Sequence, residues 1–301
     1  MSSMSRRELF GAGAAFGVGL APQIAAAQGR RRTDTPGNPP PYTLSINIEI
    51  MFPRDMPRAD RVKAVAAQGY KAYSFWRASD EEIAAMLKVQ KETGIKCCSI
   101  VGTGDAGSST GFTQPGREQK LLDEFKQYIE VARRFPEKPD LVSFVGSQQA
   151  GVPWETQRAG IVAGLRKAGD LARDGGVYII VEPVSDQRTQ AAIHTAARCF
   201  PIIEEVNHPN VRVCFDLYHL QRTEGNLVVN MRQGFEKNLI RLVQIGDNPG
   251  RYEPGTGEIN YAYVFRVLRE LNYTGYLDTE MGSTSTPEYA MAVTRELAYA
   301  N

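Results

Sequence analysis

Histidine and cysteine are scarce in this chain, with three His and four Cys among 301 residues. No Cys-x-x-Cys pair and no paired Cys/His spacing occurs, which excludes a thiolate zinc cluster. Cys97 and Cys98 are adjacent in an apolar run, Cys199 lies near a predicted helix end and Cys214 falls inside a strand pattern. Buried free thiols are therefore expected. Charge of one sign is lacking too: Lys and Arg number 35 against 34 Asp and Glu, for a net charge of +1. There is no basic block inside the part expected to fold, which argues against a nucleic-acid partner. The longest apolar run, residues 9–20, is rich in Gly and Ala and short of the roughly 20 apolar residues that a membrane helix needs.

That run belongs to a different kind of signal. Ser5-Arg6-Arg7-Glu8-Leu9-Phe10 precedes it, and Ala25-Ala26-Ala27 follows as a small-residue cleavage site before Gln28. Residues 1–27 are expected to be a twin-arginine export peptide. Its removal leaves 33 basic and 33 acidic residues in a periplasmic or extracellular mature chain with no membrane segment. Residues 28–41 hold three Arg and then a Pro-rich stretch with no apolar residues to pack, so a disordered linker is expected.

From residue 42 to the end, β-rich runs alternate with segments of helical period, the pattern of a parallel sheet covered by helices. Strands are predicted at 44–48, 72–75, 96–101, 141–145, 177–181, 211–215, 239–245 and 276–279. Helices are predicted at 57–68, 80–93, 116–135, 156–173, 189–206, 227–237, 261–271 and 287–300. Eight of each make an α/β fold, a single-domain (β/α)8 TIM barrel over residues 42–301.

Four strands end the same way. Apolar runs close on Glu182, Asp216, Gln244 and Glu280, separated by 34, 28 and 36 residues. A barrel unit takes about 30 residues, since eight fill about 250. Four oxygen-bearing side chains then leave the C-terminal ends of four successive strands, the face where barrels build active sites. Two Glu, one Asp and one Gln make an all-oxygen cage suited to Mg2+ or Mn2+. Glu182 and Glu280, on opposite sides of one mouth, suit proton abstraction beside a carbonyl, one removing the proton and the other returning it. A bound cation would polarise that carbonyl.

Further candidates border the same mouth. His219 lies three residues past Asp216, in the expected loop after strand six, where an imidazole could meet a substrate oxygen. Arg117 and Arg251 could each clamp a carboxylate or instead close a loop by an ion pair. Trp76 could offer a face for stacking a sugar or could pack in the core. His194 and His208 are expected to be surface residues.

Together, Val181-Glu182, Asp216-Leu217-Tyr218-His219, Val243-Gln244-Ile245, Arg251 with the run Gly257-Glu258-Ile259-Asn260-Tyr261, and Thr279-Glu280 resemble the hydroxypyruvate isomerase family. That family belongs to the xylose isomerase-like TIM barrels, with ketose 3-epimerases as close relatives. Asn47, Met51-Phe52, Pro115-Gly116-Arg117-Glu118 and Gly151-Val152-Pro153 match as well, so the resemblance covers about residues 43–282. It implies that Glu182, Asp216, Gln244 and Glu280 bind the metal, that the two Glu exchange protons, and that His219 and Arg251 contact substrate.

Three segments depart from the family pattern: Ser74-Phe75-Trp76-Arg77-Ala78, Met281-Gly282-Ser283-Thr284 and Glu49. All three border the pocket, so the substrate is expected to differ from the family's. The leading expectation is a metal-dependent isomerase acting on a small hydroxy-carbonyl compound or sugar. A 3-epimerase or lyase acting on an oxidised sugar is the first alternative, and a non-catalytic exported sugar-binding barrel is the second. An endonuclease on this barrel would call for more His ligands and a basic groove, and neither is visible. The sequence leaves the metal within its group and a homo-oligomer open.

Overall fold

A computed structural model of the chain describes residues 39–185 and 190–300. The expected export peptide and linker residues 28–38 lie outside the described residues. Eight parallel strands close into a barrel in sequence order: β1 (Thr43–Asn47), β2 (Ala72–Phe75), β3 (Lys96–Val101), β4 (Asp140–Ser143), β5 (Ile179–Val181), β6 (Val211–Asp216), β7 (Ile240–Ile245) and β8 (Tyr276–Thr279). Between and after them come α1 (Arg58–Ala67), α2 (Asp80–Thr93), α3 (Glu118–Ala132), α4 (Trp154–Gly175), α5 (Ala196–Val206), α6 (Leu217–Thr223), α7 (Leu227–Glu236), α8 (Tyr261–Glu270) and α9 (Pro287–Tyr299).

The strand period of two sorts the side chains into two cores. Ile179 and Val181 of β5 and Val213 and Phe215 of β6 pack in the large core shared with the helices. Ile180 and Cys214, between them in sequence, join Val142 and Leu242 in a small cluster inside the barrel. Two residues further along the same inner face come Glu182, Asp216 and Gln244. The alternation that buries the interior cluster thus carries the polar residues to one end of the barrel.

The helices follow their own periodicity. In α3 the buried positions are Leu121, Leu122, Phe125, Ile129 and Ala132, one stripe at helical spacing. Full burial of a side chain such as Phe125 stabilises the fold by about 2 kcal/mol. In α2 the Ser79 hydroxyl accepts from the Glu82 N–H, and the Glu82 carboxylate accepts from the Ser79 N–H. This reciprocal cap satisfies two amides that have no helical partner.

Several expected boundaries move. The helix predicted over 189–206 begins only at Ala196, where the Thr195 hydroxyl caps the Arg198 N–H. Residues 190–193 instead run beside 146–148: Ser147 pairs with Ala191, and the Ala192 N–H donates to the Gly146 carbonyl at 3.0 Å. Helical period over 189–195 was misleading because backbone pairing with a neighbouring loop outweighs local propensity. Residues 186–189 lie outside the described residues. His219 sits on α6, not in a loop, because Asp216 accepts from the Tyr218 N–H and starts a helix directly at the strand end. His208 is not a surface residue: its side chain is 11% exposed and packs over Gly169, where even a Cβ would crowd it. His194 is half-buried, its Nδ1 3.2 Å from the Ala191 carbonyl. All four cysteines are buried and free.

Candidate active site

Glu182 and Glu280 leave β5 and β8 with their backbones still tied to the sheet. The Glu182 N–H donates to the Ser143 carbonyl at 3.1 Å, and the Glu280 N–H to that of Ile245 at 2.9 Å. Asp216 and Gln244 are direct register partners on β6 and β7. All four side chains are buried, and Glu182, Gln244 and Glu280 line one cavity. The cavity has a volume of about 720 Å3, within the range of about 300–1,000 Å3 usual for small-molecule sites.

Arg251 enters this ring from the long loop after β7. Its Nη2 lies 3.2 Å from Asp216 Oδ2 and 3.3 Å from Glu280 Oε2, and its Nε donates to the Glu280 carbonyl at 3.0 Å. The loop is held by the buried Asp247, whose carboxylate accepts from the N–H groups of Asn248, Gly255, Gly257 and Ile259. Gly257 has to be glycine, since a Cβ there would stand 1.9 Å from the Asn248 carbonyl oxygen. Tyr261 closes the run, its hydroxyl donating to the Gly246 carbonyl and accepting from the Gly246 N–H. The Gly-Glu-Ile-Asn-Tyr motif is therefore a mount for Arg251.

Burial pushes the Glu182 carboxyl well above the usual range, and the neighbouring Glu280 and Asp216 push it further while Arg251 pulls the other way. Burial raises Asp216 as well, against Arg251 and two backbone amides. Burial disfavours charge on Arg251, but Glu280, Asp216 and Glu182 outweigh it and leave the guanidinium firmly protonated. Three buried carboxylates crowd one site, with the Arg251 guanidinium beside two of them, a donor set that fits a hard divalent cation.

His219 is close to the same carboxylates, its Nε2 3.4 Å from Glu182 Oε1 and 3.7 Å from Asp216 Oδ2. One ligand atom from each of Glu182, Asp216 and His219 lies within 4.8 Å of the others. The imidazole is nonetheless poorly suited to be a ligand. The Ser185 N–H donates to its Nδ1 at 3.2 Å, and the Ser185 hydroxyl stands at 2.8 Å. An Nδ1 that accepts leaves the proton on Nε2, which then faces the cavity as a donor.

Trp76 is 42% exposed on the cavity wall, and its Nε1 donates to Glu280 Oε1 at 3.1 Å. Its backbone N–H reaches Glu49 at 3.3 Å, and Glu49 takes a two-pronged ion pair from Arg58. Asn47 also lines the cavity, its Oδ1 accepting from the Glu49 N–H at 3.0 Å. The departures at Glu49 and 74–78 thus form one network that ends on Glu280. Arg117 is not brought to the site: it is exposed at the N-terminal end of α3 and outside the cavity lining. Ser185 and Arg222 also line the cavity, as do Tyr218, quoted in the family motif, and Arg77, in a segment expected to border the pocket. The missed residue with the clearest signal is Asp278, a charge inside a strand pattern two places before Glu280 and so on the same face.

The comparisons with known proteins agree with this fold. Residues 62–299 match the family model for the xylose isomerase-like TIM barrel. Hydroxypyruvate isomerase of Escherichia coli K12 is 31% identical over 249 residues, covering 81% of this chain and 95% of that protein. The 2-oxo-tetronate isomerase of Haemophilus influenzae is 27% identical, covering 79% and 92%. Among solved structures, the 3-keto-D-glucoside 4-epimerase of E. coli superposes with a TM-score of 0.67 at 20% identity, over 85% of this chain and 97% of that one. The chain belongs to the xylose isomerase-like TIM barrels and, within them, to the hydroxypyruvate isomerase family.

Proposed function

We propose that this protein is a divalent-cation-dependent isomerase that shifts a proton between the carbons of a small hydroxy-carbonyl compound or sugar. The observation that carries this is the convergence of Glu182 and Glu280, from β5 and β8, on one buried, carboxylate-rich site at the C-terminal end of the barrel. The relatives named as hydroxypyruvate isomerase and 2-oxo-tetronate isomerase support it. Glu182, Asp216, Gln244 and Glu280 would hold Mg2+ or Mn2+. The cation would polarise the substrate carbonyl and balance the charge that develops on its oxygen.

The protein's own groups account for the proton movements. One Glu takes the proton from the carbon bearing the hydroxyl, leaving an enediolate, and the other delivers a proton to the former carbonyl carbon. The hydroxyl proton passes to the former carbonyl oxygen, so the carbonyl has moved by one carbon and no atom is gained or lost. His219 Nε2–H would donate to a substrate oxygen, and Arg251 would hold Glu280 and Asp216 in place. Trp76 fixes the other oxygen of Glu280.

A second reading, an epimerase or lyase acting on a keto sugar, is favoured by the size of the cavity, since about 720 Å3 is far more than a small keto acid fills. The same proton abstraction serves it, followed by return of the proton to the opposite face or loss of a leaving group. Solvent exchange separates these outcomes. The Mn2+-loaded protein would be incubated in D2O with hydroxypyruvate, tartronate semialdehyde, ketohexoses and 3-keto-glycosides, and deuterium beside the carbonyl followed by NMR. One compound should exchange only with Mn2+ present, and its product names the reaction. If a folded, Mn2+-loaded protein exchanges none of them, proton transfer is refuted and a sugar-binding barrel takes its place.

On the substrate so found, Trp76→Phe keeps an aromatic face but removes the donor to Glu280. Turnover should fall about 10-fold, the worth of a hydrogen bond to a charged group, with KM nearly unchanged. Trp76→Ala should raise KM as well, and equal effects of the two variants would show that the ring face binds nothing.

Export to the periplasm or cell exterior belongs to the same proposal and rests on Arg6-Arg7 and Ala25-Ala26-Ala27. Exported protein should begin at Gln28 on N-terminal sequencing, and Arg6→Lys with Arg7→Lys should keep it in the cytoplasm.

A further inference from the structure

One buried carboxylate has no part in these steps. Asp278, on β8, is 0% exposed and lies inside the barrel. Ser45 Oγ donates to its Oδ1 at 2.7 Å, and Ser74 Oγ donates to its Oδ2 at 2.7 Å. The Gln244 Nε2 donates to that same Oδ2 at 3.3 Å. Burying a carboxylate is costly unless it is hydrogen-bonded, and these three donors supply that here. Apolar packing does not call for a carboxylate at this position.

Gln244 explains it. A glutamine amide has two chemically opposite ends of almost equal shape, one a double donor and the other a double acceptor. With Nε2 engaged by Asp278, Oε1 is the end turned the other way, 2.9 Å from the Cys214 sulfur, whose S–H donates to it. A carbonyl oxygen has two lone pairs, so one remains available. Were the amide turned over, Oε1 would face the Asp278 carboxylate and two N–H groups would stand where Oε1 does now.

We propose that Asp278 is a positioning residue that locks the Gln244 amide so that oxygen, and never nitrogen, is offered to the cation ring. It acts as an acceptor for Nε2, outside the ring itself, and partners of that kind typically govern metal affinity by about 10–100-fold. The inference rests on the proposed cation site, and a direct metal titration separates the two. Mn2+ affinity of the metal-free protein would be measured by EPR of the unbound ion, for wild type, Asp278→Asn, Asp278→Val and Asp278→Ala. Near-UV circular dichroism and the unfolding temperature without metal report folding.

Asp278→Asn keeps an acceptor oxygen for Nε2 and should bind Mn2+ close to the wild-type value. Asp278→Val and Asp278→Ala remove it and should weaken binding about 10–100-fold in protein whose near-UV circular dichroism stays that of the folded state. A folded Asp278→Val or Asp278→Ala protein with wild-type affinity overturns the inference. So does Asp278→Asn weakened tenfold or more, which would assign the effect to charge and not to the acceptor. Wild-type protein that binds no Mn2+ defeats the cation site and this inference together.

Discussion

Glu280→Gln is expected to slow the Mn2+-dependent exchange of substrate hydrogen with solvent by about 10²–10⁴-fold, the range that a positioned acid or base supplies. The substitution preserves size at a side chain that is 7% exposed, so the fold should survive it. One acceptor oxygen remains for either Trp76 Nε1 or Arg251, which now approach separate oxygens at 3.1 and 3.3 Å. What is lost is the capacity to take up a proton. Glu182→Gln should produce a loss of the same order, because each proton removed on one side has to be replaced from the other. Both measurements are made at saturating Mn2+, so that weakened metal binding is not mistaken for a lost base. Exchange within tenfold of wild type in either variant removes that residue from proton transfer and leaves it a ligand only.

Mn2+ should also stabilise the protein, and the gain should grow with pH. Glu182 and Asp216 have raised pKa values in the metal-free site, chiefly through burial. An acid whose pKa is higher folded than unfolded keeps its proton longer in the folded state. Its contribution is therefore favourable at pH below the ordinary carboxylate value of 4.5 for Glu or 3.8 for Asp, and is lost as pH rises through the raised value. A cation binds the deprotonated carboxylates and relieves the repulsion among them, so the metal-free and Mn2+-loaded forms diverge as pH rises. At free Mn2+ a thousandfold above Kd the stabilisation is about 4 kcal/mol. For a barrel of this size that corresponds to roughly a 10 °C rise in unfolding temperature. Calorimetry across pH 5–8, with EDTA as the control, checks both sign and slope. A shift that is flat in pH would place the cation away from Glu182 and Asp216.

Much of the fold was legible without coordinates, for a local reason. Strand and helix periods are set by neighbours in sequence, so eight β-runs and their helices could be counted, and barrel spacing put Glu182, Asp216, Gln244 and Glu280 at successive strand ends. Boundaries that depend on partners elsewhere were not legible: residues 190–193 pair with a loop some 45 residues away, and Asp216 starts a helix that made His219 face the site from α6.

The sequence by itself determined the alternation, the face on which each strand residue falls and hence the four oxygen donors at one end of a barrel. Only the tertiary structure decided what holds them. Trp76 meets Glu280 across 204 residues, Ser45 meets Asp278 across 233, and Arg251 reaches both Asp216 and Glu280, while Arg117 is left outside. Periodicity fixes which way a side chain points, but its partner is fixed by the register and closure of the barrel, where β1 pairs with β8 and brings the two ends of the chain's sheet together.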